Sequence, residues 1–496
     1  MGTRERSSSR EAARRPAAGA RALRTAIAAV ILVVAGMAVS VRSPRPALAT
    51  DESPIRHVVI VDEENHSFDN VLGLLCRRIA KHRVVRPGLG DGCDGATTGT
   101  LPDGTKIRLA KASDLVPPVD HSVASQQTSI DGGRMDGFAL IRGCGPSAQD
   151  HYQCYTQFRS RRVANAWNFA LNFAISDRTF EQKQTPSWAG HLVLAAATTD
   201  GFQGDNPTYV PGEGVPPKGP GWGCDSNNVA QWWDGTGYDV VPSCIPDQAG
   251  YGPFTGPGTS PVPYVPTIFD VLDQAGLDWK IYGADGASDP RVAGYIWTIC
   301  PSFAECLESS QDQNLVPASN VVADARSGSL PAVSFVTPMQ DTSEHNNNSM
   351  IAGDNWIGQV LGAIENGPDW DSTTVFLTWD DCGCFYDHVN PLQYGPDWGI
   401  RVPMIIVSPY ARQGYTDSTP AVFASMLAYV EHTFGLPSLH PCNGAPGCID
   451  DSNAYDYANS FDYSQAPLPP ISVAFTTLPG WERRYLQQHP APPDVT

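Results

Sequence analysis

The chain has 496 residues, with 33 Lys and Arg against 52 Asp and Glu, and a formal net charge of −19 at pH 7. Its first 49 residues hold nine Arg and two Glu, so the rest of the chain carries a net charge of −26. This excess of acid repels nucleic acid and anionic membranes over long range, and it excludes nucleic acid as a partner. An anionic substrate would need a local positive centre, which a bound metal ion would supply.

The first 49 residues predict a signal peptide. Charged residues precede the apolar stretch 26–41, and Ala47-Leu48-Ala49 is an A-x-A cleavage pattern. The stretch is short for a membrane span, so we expect a secreted protein with no stable membrane insertion after cleavage. An uncleaved anchor in the cell envelope is the alternative.

All twelve Cys follow the predicted signal, and an even number suits the disulfides of an exported protein. Cys300 with Cys306 and Cys442 with Cys448 are plausible local pairs. Cys382 and Cys384 are too close for an easy mutual bridge, so we expect each to pair elsewhere.

Apolar runs typical of buried strands alternate along the chain with amphipathic helical patterns. The predicted strands are 57–61, 172–176, 279–282, 332–336, 375–378 and 403–408, and the predicted helices are 188–196, 267–275, 356–364 and 421–434. This alternation predicts an α/β fold, a three-layer α/β/α sandwich with a mostly parallel central sheet. We expect one catalytic domain over residues 50–478, with a Gly/Pro/Trp-rich insertion around 201–267 and a C-terminal tail over 479–496.

The first predicted strand runs into the acidic segment 62–69, DEENHSFD. Glu64 beside Asn65 offers a carboxylate and an amide oxygen, which are hard ligands for a divalent cation. An ordinary acidic loop is the alternative.

Pro186 and Ser187 precede an apolar helical run, so Ser187 is expected at a helix N-terminus. Backbone N–H groups and the helix dipole favour an anion there, including a phosphate, and the same geometry suits an alkoxide nucleophile. A serine that only caps the helix is the alternative.

The strand predicted at 375–378 ends in two adjacent carboxylates, Asp380 and Asp381. Ligands of open α/β sheets bind outside the carboxyl ends of the strands, and two like charges there need a cation or a shared proton. Gly383 then allows a turn, and Asp387-His388 follows. The candidate site histidines lie in polar or turn-like segments: His121, His191, His345 and His388.

Together these segments resemble the bacterial phosphoesterase family that holds phosphatidylcholine-type phospholipases C and metal-dependent acid phosphatases, within the alkaline-phosphatase-like superfamily. The resemblance covers roughly residues 55–470. It rests on seven segments in order: 57–73 (HVVIVDEENHSFDNVLG), 131–138 (DGGRMDGF, with His121 upstream), 186–191 (PSWAGH), 343–345 (S-x-H), 375–388 (VFLTWDDCGCFYDH), 399–409 (GIRVPMIIVSP) and 459–467 (NSFDYSQAP).

The resemblance implies an alkaline-phosphatase-like fold and a role for each matching residue. A divalent metal ion, which could be Mg, Ca, Mn or Zn, would be held by Glu64, Asn65, Asp380 and Asp381, with Ser187 as both ligand and nucleophile. Three histidines, His121, His345 and His388, would contact the phosphoryl group or transfer protons. Asp387 would orient His388 or support the metal ligands.

This sequence departs from the family pattern at three places. Asp381 stands where the family usually has Glu, and the shorter side chain changes the reach to a metal. Ala189 replaces the usual Pro after the nucleophile. Cys382 and Cys384 replace residues that are usually small.

We expect a metal-dependent phosphoesterase that hydrolyses phosphate monoesters through a phosphoserine intermediate. A phospholipase C that cleaves phospholipid headgroups is the alternative within the same chemistry. Ser187 followed by Gly190-His191, and a chain that ends soon after its closing motif, favour the monoesterase. A non-catalytic secreted carbohydrate-binding protein is the alternative from another class, because Trp222, Trp232 and Trp233 could stack on sugars.

Overall fold

The computed structural model describes residues 53–147, 149–209, 221–249, 260–283 and 294–491, so the predicted signal peptide lies outside the described residues. The described residues belong to one compact unit within residues 46–496. The strands in chain order are β1 His57–Glu63, β2 Thr98–Thr100, β3 Lys106–Arg108, β4 Ala110–Lys111, β5 Thr156–Gln157, β6 Ala174–Ser176, β7 Thr179–Phe180, β8 Thr208–Tyr209, β9 Asn228–Trp233, β10 Tyr238–Pro242, β11 Trp279–Gly283, β12 Leu315–Pro317, β13 Val333–Val336, β14 Thr373–Trp379, β15 Met404–Val407, β16 Thr416–Asp417 and β17 Ala421–Val422.

Eight of these strands form the central sheet, in the order β12-β11-β13-β1-β14-β15-β6-β16. Its strands pair in parallel except at β15, which runs antiparallel to both β14 and β6. Strands β1 and β14 stay in register from His57 opposite Thr373 to Glu63 opposite Trp379. The residues that follow these two strands therefore leave the sheet side by side.

Helices cover the sheet. The α-helices are α1 Leu74–Ala80, α2 Val123–Ile130, α3 Ala164–Asn172, α4 Ser187–Ala196, α5 Ile268–Ala275, α6 Ala304–Glu308, α7 Asn320–Ser327, α8 Met350–Glu365, α9 Ala424–Phe434 and α10 Gly480–Gln488. A π-helical turn, Asp69–Gly73, leads into α1. Short 3-10 helices occur at Asp131–Gly133, Gly137–Leu140, Tyr295–Thr298, Cys300–Ser302, Ser310–Asn314, Gln340–Thr342, Trp370–Ser372, Pro391–Gln393 and Ala458–Ser460.

The central strands are buried along their whole length, which requires cover on both faces of the sheet. Every residue of β13, β14 and β15 is buried, and these strands are rich in Val, Ile, Phe and Thr, as expected of two-sided burial. Helix α8 contacts both α3 and α7, and α4 contacts both α5 and α9. The predicted α/β class with a mostly parallel central sheet is confirmed.

Local sequence signals set several element boundaries. Thr267 and Asp270 form a capping box at the start of α5, and Gly276 ends that helix at φ 66°. The helix predicted at 421–434 begins later, because Ala421–Val422 pairs in parallel with Thr179–Phe180. The C-terminal tail predicted over 479–496 contains α10, with Glu482 buried.

The insertion contains a small antiparallel sheet, β10-β9-β8, in its described part. Its three tryptophans have different surroundings. Trp222 is buried, Trp232 donates from Nε1 to the carbonyl of Asp200 at 2.8 Å, and Trp233 is 45% exposed. Two of the three therefore serve the fold rather than a sugar-binding surface.

Ten cysteines form disulfides: Cys76–Cys93, Cys144–Cys154, Cys224–Cys244, Cys300–Cys306 and Cys442–Cys448. The two local pairs predicted from spacing are present. The expectation that Cys382 and Cys384 pair elsewhere is wrong: both are free and buried, with their sulfur atoms 3.8 Å apart. In the part of the chain described, no helix is long and apolar enough to cross a membrane.

Candidate active site

The ends of β1 and β14 bring two acidic segments together. The Asp380 amide donates to the Glu63 carbonyl at 2.9 Å, which extends the pairing of the strands by one residue. The Asn65 amide then donates to Asp380 Oδ1 at 2.9 Å, and the amide of Asp381 donates to the same oxygen at 2.8 Å. These backbone bonds fix Glu64, Asn65 and both aspartates in one place before any ligand binds.

Ser187 is the first residue of α4 and lies at the centre of these groups. Its Oγ is 3.1 Å from Glu64 Oε2, 3.2 Å from Asp381 Oδ2 and 3.4 Å from Asn65 Oδ1. The side chains of Glu64, Asn65, Asp380, Asp381 and Ser187 are all buried. The structure thus brings together all five residues that the resemblance assigns to the metal.

The chemistry of this donor set fits a divalent cation. Asp380 Oδ2 is buried and has no hydrogen-bond partner among the described residues. The Asn65 amide oxygen accepts from Ser187 Oγ at 3.4 Å and faces the two oxygens of the Asp381 carboxylate. Such a buried group of oxygens is unfavourable unless a cation lies between them, and carboxylate and amide oxygens are ligands that hard cations prefer.

Asn65 can also adopt a second orientation that suits a site without a metal. With its amide rotated, Nδ2 would donate to both Asp381 oxygens at 3.1 Å, and Oδ1 would accept from His345 Nε2 at 3.1 Å. The assignment of the two amide atoms rests on the hydrogen-bond network. Asn65 would offer Oδ1 to a bound cation in the orientation in which this oxygen points toward Asp381.

His191 joins this cluster from α4. It lies four residues after Ser187, so both side chains project from the same face of the helix. Its Nε2 is 3.2 Å from Glu64 Oε1 and 3.9 Å from Asp380 Oδ2, and its Nδ1 is 3.3 Å from Asp62 Oδ2. Glu64, His191 and Asp380 offer ligand atoms close enough to share one ion.

His191 is a residue that sequence analysis left without a role. The Ser-x-x-x-His spacing was the signal that could have assigned one, because residues four apart on a helix share a face. Asp62, whose Oδ2 lies 3.3 Å from His191 Nδ1, was likewise given no role from the sequence. Burial, followed by the charges of Asp380 and Asp381, raises the pKa of Asp62 well above its ordinary value.

His121 and His345 flank the cluster on a second side. His121 Nδ1 is 2.9 Å from the Val119 carbonyl, and its Nε2 is 3.9 Å from Asp381 Oδ2. His345 Nδ1 is 3.1 Å from the Asn346 carbonyl. A carbonyl accepts only, so each ring donates to it from Nδ1, and Nε2 of each ring is directed toward the cluster. The centroids of the His121 and His345 rings are 6.5 Å apart.

His388 and Asp387 belong to a different cluster. His388 Nδ1 lies 2.6 Å from Asp69 Oδ2, and its Nε2 lies 3.0 Å from Asp94 Oδ1. Asp387 accepts from Arg401 Nη2 at 3.1 Å and from the Asp69 amide at 3.0 Å. Both ring nitrogens of His388 are thus engaged by carboxylates, and Asp387 orients Arg401 rather than the imidazole. This geometry does not support proton transfer by His388 at Ser187.

This second cluster is a network of paired ions that is buried at Asp69, Asp387 and Arg401 and partly exposed at His388 and Asp94. Although burial lowers it, Asp69 and Asp94 together raise the pKa of His388 to about 10. Arg401 is fully buried and stacks over Phe68, with its guanidinium carbon 4.1 Å from the ring centroid. His388 is therefore a cation at neutral pH, and the network holds the loop that follows Glu64 and Asn65.

The turn after Asp381 depends on Gly383. This residue has φ 53°, and a Cβ there would lie 2.2 Å from the Asn65 carbonyl oxygen. Its amide donates to Asp381 Oδ1 at 2.6 Å, and the Cys382 amide donates to Glu181 Oε1 at 2.8 Å. Glu181 was not singled out by sequence analysis; burial, with the neighbouring Cys382 and Asp381, raises its pKa.

The Phosphoesterase family model matches residues 55–437, and the chain belongs to this family. It is 26% identical to the non-hemolytic phospholipase C of Burkholderia pseudomallei, over 84% of this chain and 61% of that protein. It is 23% identical to phospholipase C B of Mycobacterium tuberculosis, over 86% of this chain and 80% of that protein. It is 22% identical to non-specific phospholipase C6 of Arabidopsis thaliana, over 78% of this chain and 69% of that protein.

The chain spans about three fifths of the length of two bacterial non-hemolytic phospholipases C that it matches, 61% and 60%. Among solved structures it is similar to a protein in the alkaline phosphatase superfamily from Vibrio parahaemolyticus. That similarity has 12% sequence identity and a TM-score of 0.33, over 78% of this chain and 67% of the other. No site feature is carried over from a likeness this low.

Asp380→Asn should separate metal binding from folding. Asparagine keeps Oδ1, which accepts from the amides of Asn65 and Asp381. It replaces Oδ2, which has no hydrogen-bond partner among the described residues, with an NH2 group that can only donate. We expect divalent-ion affinity to fall at least about tenfold. We also expect a higher melting temperature in chelator, because like-charge repulsion is relieved. Calorimetric titration with Mg, Ca, Mn and Zn, and melting with and without each ion, would measure both effects.

Asp371→Asn, an exposed change of the same charge, is the matched control and should leave both quantities unchanged. If no divalent ion binds the parent chain, or if Asp380→Asn binds ions like the parent, the metal assignment is refuted.

His388→Gln should destabilise the fold in a pH-dependent way. The pKa of His388 in the fold, about 10, lies above the ordinary value of about 6.5. The stability due to its charge is therefore complete below about pH 6.5 and is lost as pH rises toward 10. We expect a melting temperature several degrees below that of the parent at pH 6, with the two converging near pH 10. The exposed His82→Gln is the control, and a gap that does not change with pH would contradict this role.

Proposed function

We propose that this chain is a metal-dependent hydrolase of phosphate esters in which Ser187 is the nucleophile. The observation that carries the proposal is the Ser187 hydroxyl, buried at a helix N-terminus within 3.4 Å of oxygens from Glu64, Asn65 and Asp381. Membership in the phosphoesterase family supports the same reaction class.

The residues that would hold the metal are Glu64, Asn65, Asp380, Asp381 and Ser187, with His191 in reach of the same position. A bound divalent cation would neutralise phosphoryl charge and lower the pKa of the serine hydroxyl. The N-terminus of α4 adds a favourable field for the phosphoryl oxygens. The chain thus supplies a nucleophile and an anion site at one point.

The reaction would proceed in two displacements at phosphorus. Ser187 Oγ forms a bond to phosphorus while the ester oxygen leaves, which gives a phosphoserine and an alcohol. His345, with protons on both ring nitrogens, would give its Nε2 proton to the leaving oxygen. The Ser187 hydroxyl proton would pass to one of the carboxylates to which Oγ donates, Glu64 or Asp381. His121 would bind a phosphoryl oxygen. A water molecule would then attack phosphorus from the side that the alcohol vacated and give a proton to His345, while Ser187 leaves and regains its proton from the carboxylate.

Two substrate classes remain candidates for this site. Ser187 with Gly190-His191 favours a phosphate monoester, as the sequence predicts. The curated relatives favour a phospholipid diester, because those named above are called phospholipases C. The shared chemistry is attack on the phosphorus of an ester, and the leaving group differs: the monoester releases inorganic phosphate and the lipid releases a phosphorylated headgroup.

Export supports an extracellular substrate in either case. Ten cysteines in disulfides are typical of an oxidising compartment. We therefore propose that the protein acts outside the cytoplasm, in agreement with the signal peptide predicted from residues 1–49.

Ser187→Ala should abolish turnover while the protein stays folded. We expect the rate on an aryl phosphate monoester to fall at least about 10³-fold, because both displacements need the hydroxyl. Phosphate release, with added divalent ions and with chelator, is the measurement. Ser334→Ala is the control: this buried hydroxyl lies in β13 without a hydrogen-bond partner among the described residues, so its loss should not change the rate.

The same assay also decides the substrate class. Phosphatidylcholine and an aryl phosphodiester are compared with the monoester under identical conditions. Faster release of phosphocholine than of phosphate from the monoester would favour the phospholipase alternative. Near-full activity of Ser187→Ala on every substrate would refute the nucleophile assignment.

His345→Gln should be most damaging for substrates with poor leaving groups. A general acid matters little when an aryl oxide leaves without protonation, and it matters greatly for an alkoxide. We expect a loss of about 10²-fold or more on an alkyl phosphate and a much smaller loss on a nitrophenyl phosphate. The exposed His432→Gln is the control. An equal loss on both substrates would assign His345 to binding instead.

A further inference from the structure

A basic groove lies on a surface distinct from the acidic site. It has a volume of about 600 Å³ and runs between α1 and the short strands β3 and β4. Four cations on α1 and the turn after it form one wall: Arg77, Arg78, Lys81 and Arg83. Three on the facing segments form the other: Arg108, Lys111 and Arg159. Among the described residues that line the groove, none is Asp or Glu.

This concentration of positive charge is at odds with the composition of the chain. Beyond residue 49 the chain has 24 Lys and Arg and a net charge of −26. Seven of those 24 cations line this one groove. Among the described residues, no Asp or Glu side chain lines it, although acidic residues outnumber basic ones in the chain. Charges further away than about 8 Å are screened at physiological salt, and a ligand at the groove would therefore meet a positive surface.

These cations are not used by the fold as ion pairs. Elsewhere on the surface, Arg162 pairs with Asp114 at 2.7 Å and Arg178 pairs with Asp94 at 2.8 Å. None of the seven groove cations makes an ion pair with a carboxylate in the described part of the chain. Arg78 instead lies over the Trp167 ring, with 5.2 Å between the guanidinium carbon and the ring centroid. Their charge remains available to a partner.

Two exposed aliphatic side chains lie on the segment that follows Arg83 in the chain. Val85 is 85% exposed and Leu89 is 59% exposed. Val85 follows Arg83 by two residues, so the Cα atoms of the two residues are at most about 7 Å apart. Aliphatic side chains next to a cluster of cations are typical of surfaces that bind the headgroup region of a bilayer.

We propose that this groove, with the loop of residues 83–89, docks the protein on an anionic phospholipid surface. The cations contact lipid phosphates, and Val85 and Leu89 enter the boundary between headgroups and acyl chains. A single-stranded nucleic acid is a poorer match, because no aromatic side chain lines the groove for stacking on bases. The acidic faces of the protein are repelled by the same membrane, so one orientation is favoured. This docking goes beyond the phosphoesterase proposal and does not depend on it.

Sedimentation with vesicles would test the docking surface. The probe is the chain from residue 46, which is a compact unit of its own, carrying Ser187→Ala so that lipid is not consumed. Vesicles of phosphatidylcholine are compared with vesicles that also contain phosphatidylglycerol. We expect binding only to the anionic vesicles, decreasing with added salt. Arg77→Glu with Lys81→Glu should lower the partition coefficient at least about tenfold.

Arg483→Glu with Arg484→Glu, two exposed positions on α10, changes the charge equally and is the matched control. It should bind as the parent does. Val85→Ser with Leu89→Ser should weaken binding at high salt, where the aliphatic contribution remains. Equal binding by both charge-reversal variants, or equal loss in both, would overturn the proposal. Saturation of the groove by inositol hexakisphosphate or DNA without vesicle binding would also overturn it and would identify a soluble polyanion instead.

Discussion

The structure depends on one electrostatic constraint: several carboxylates are held close together where water does not reach them. Parallel pairing of β1 with β14 places Glu64 beside Asp380, and backbone amides fix the positions of both segments. Burying like charges close together costs free energy of folding. The acids do not attract one another; they lie together because the register of β1 with β14 places them side by side. A cation converts this unfavourable arrangement into a binding site, and the Ser187 hydroxyl lies where it would share the ion.

Close approaches of the backbone make this arrangement possible. A Cβ at Gly190 would lie 2.7 Å from the Asp380 carbonyl oxygen, and one at Gly383 would lie 2.2 Å from that of Asn65. Larger residues at these positions would push α4 away from the end of β14 and the turn away from the end of β1. The distances between Ser187 and its oxygen neighbours therefore depend on glycines that touch no substrate.

Two clusters of acids lie on the loops after β1 and β14, and the protein treats them differently. Asp69 and Asp387 meet His388 and Arg401, so protein cations balance them. Among the described residues, the ion pairs of Glu64, Asp380 and Asp381 are made with histidines, whose charge depends on protonation. The first cluster holds the loop, and the second offers carboxylate oxygens to an ion. The basic groove adds a third arrangement, in which cations are gathered away from these carboxylates.

Local sequence patterns were enough to predict the central strands, the acids that follow them and the position of Ser187 at a helix start. Hydrophobic runs and helix-start signals are local, and they fix where residues lie along each element. The role of His388 could not be read in the same way, because its ring is directed by Asp69 and Asp94, which are more than 290 residues away in the chain. His191 at the metal ligands, the free Cys382 and Cys384, and the groove built from three separate segments also depend on contacts between distant parts of the chain. Tertiary structure decided these features because charge and hydrogen bonding act through space, and sequence patterns report only neighbours.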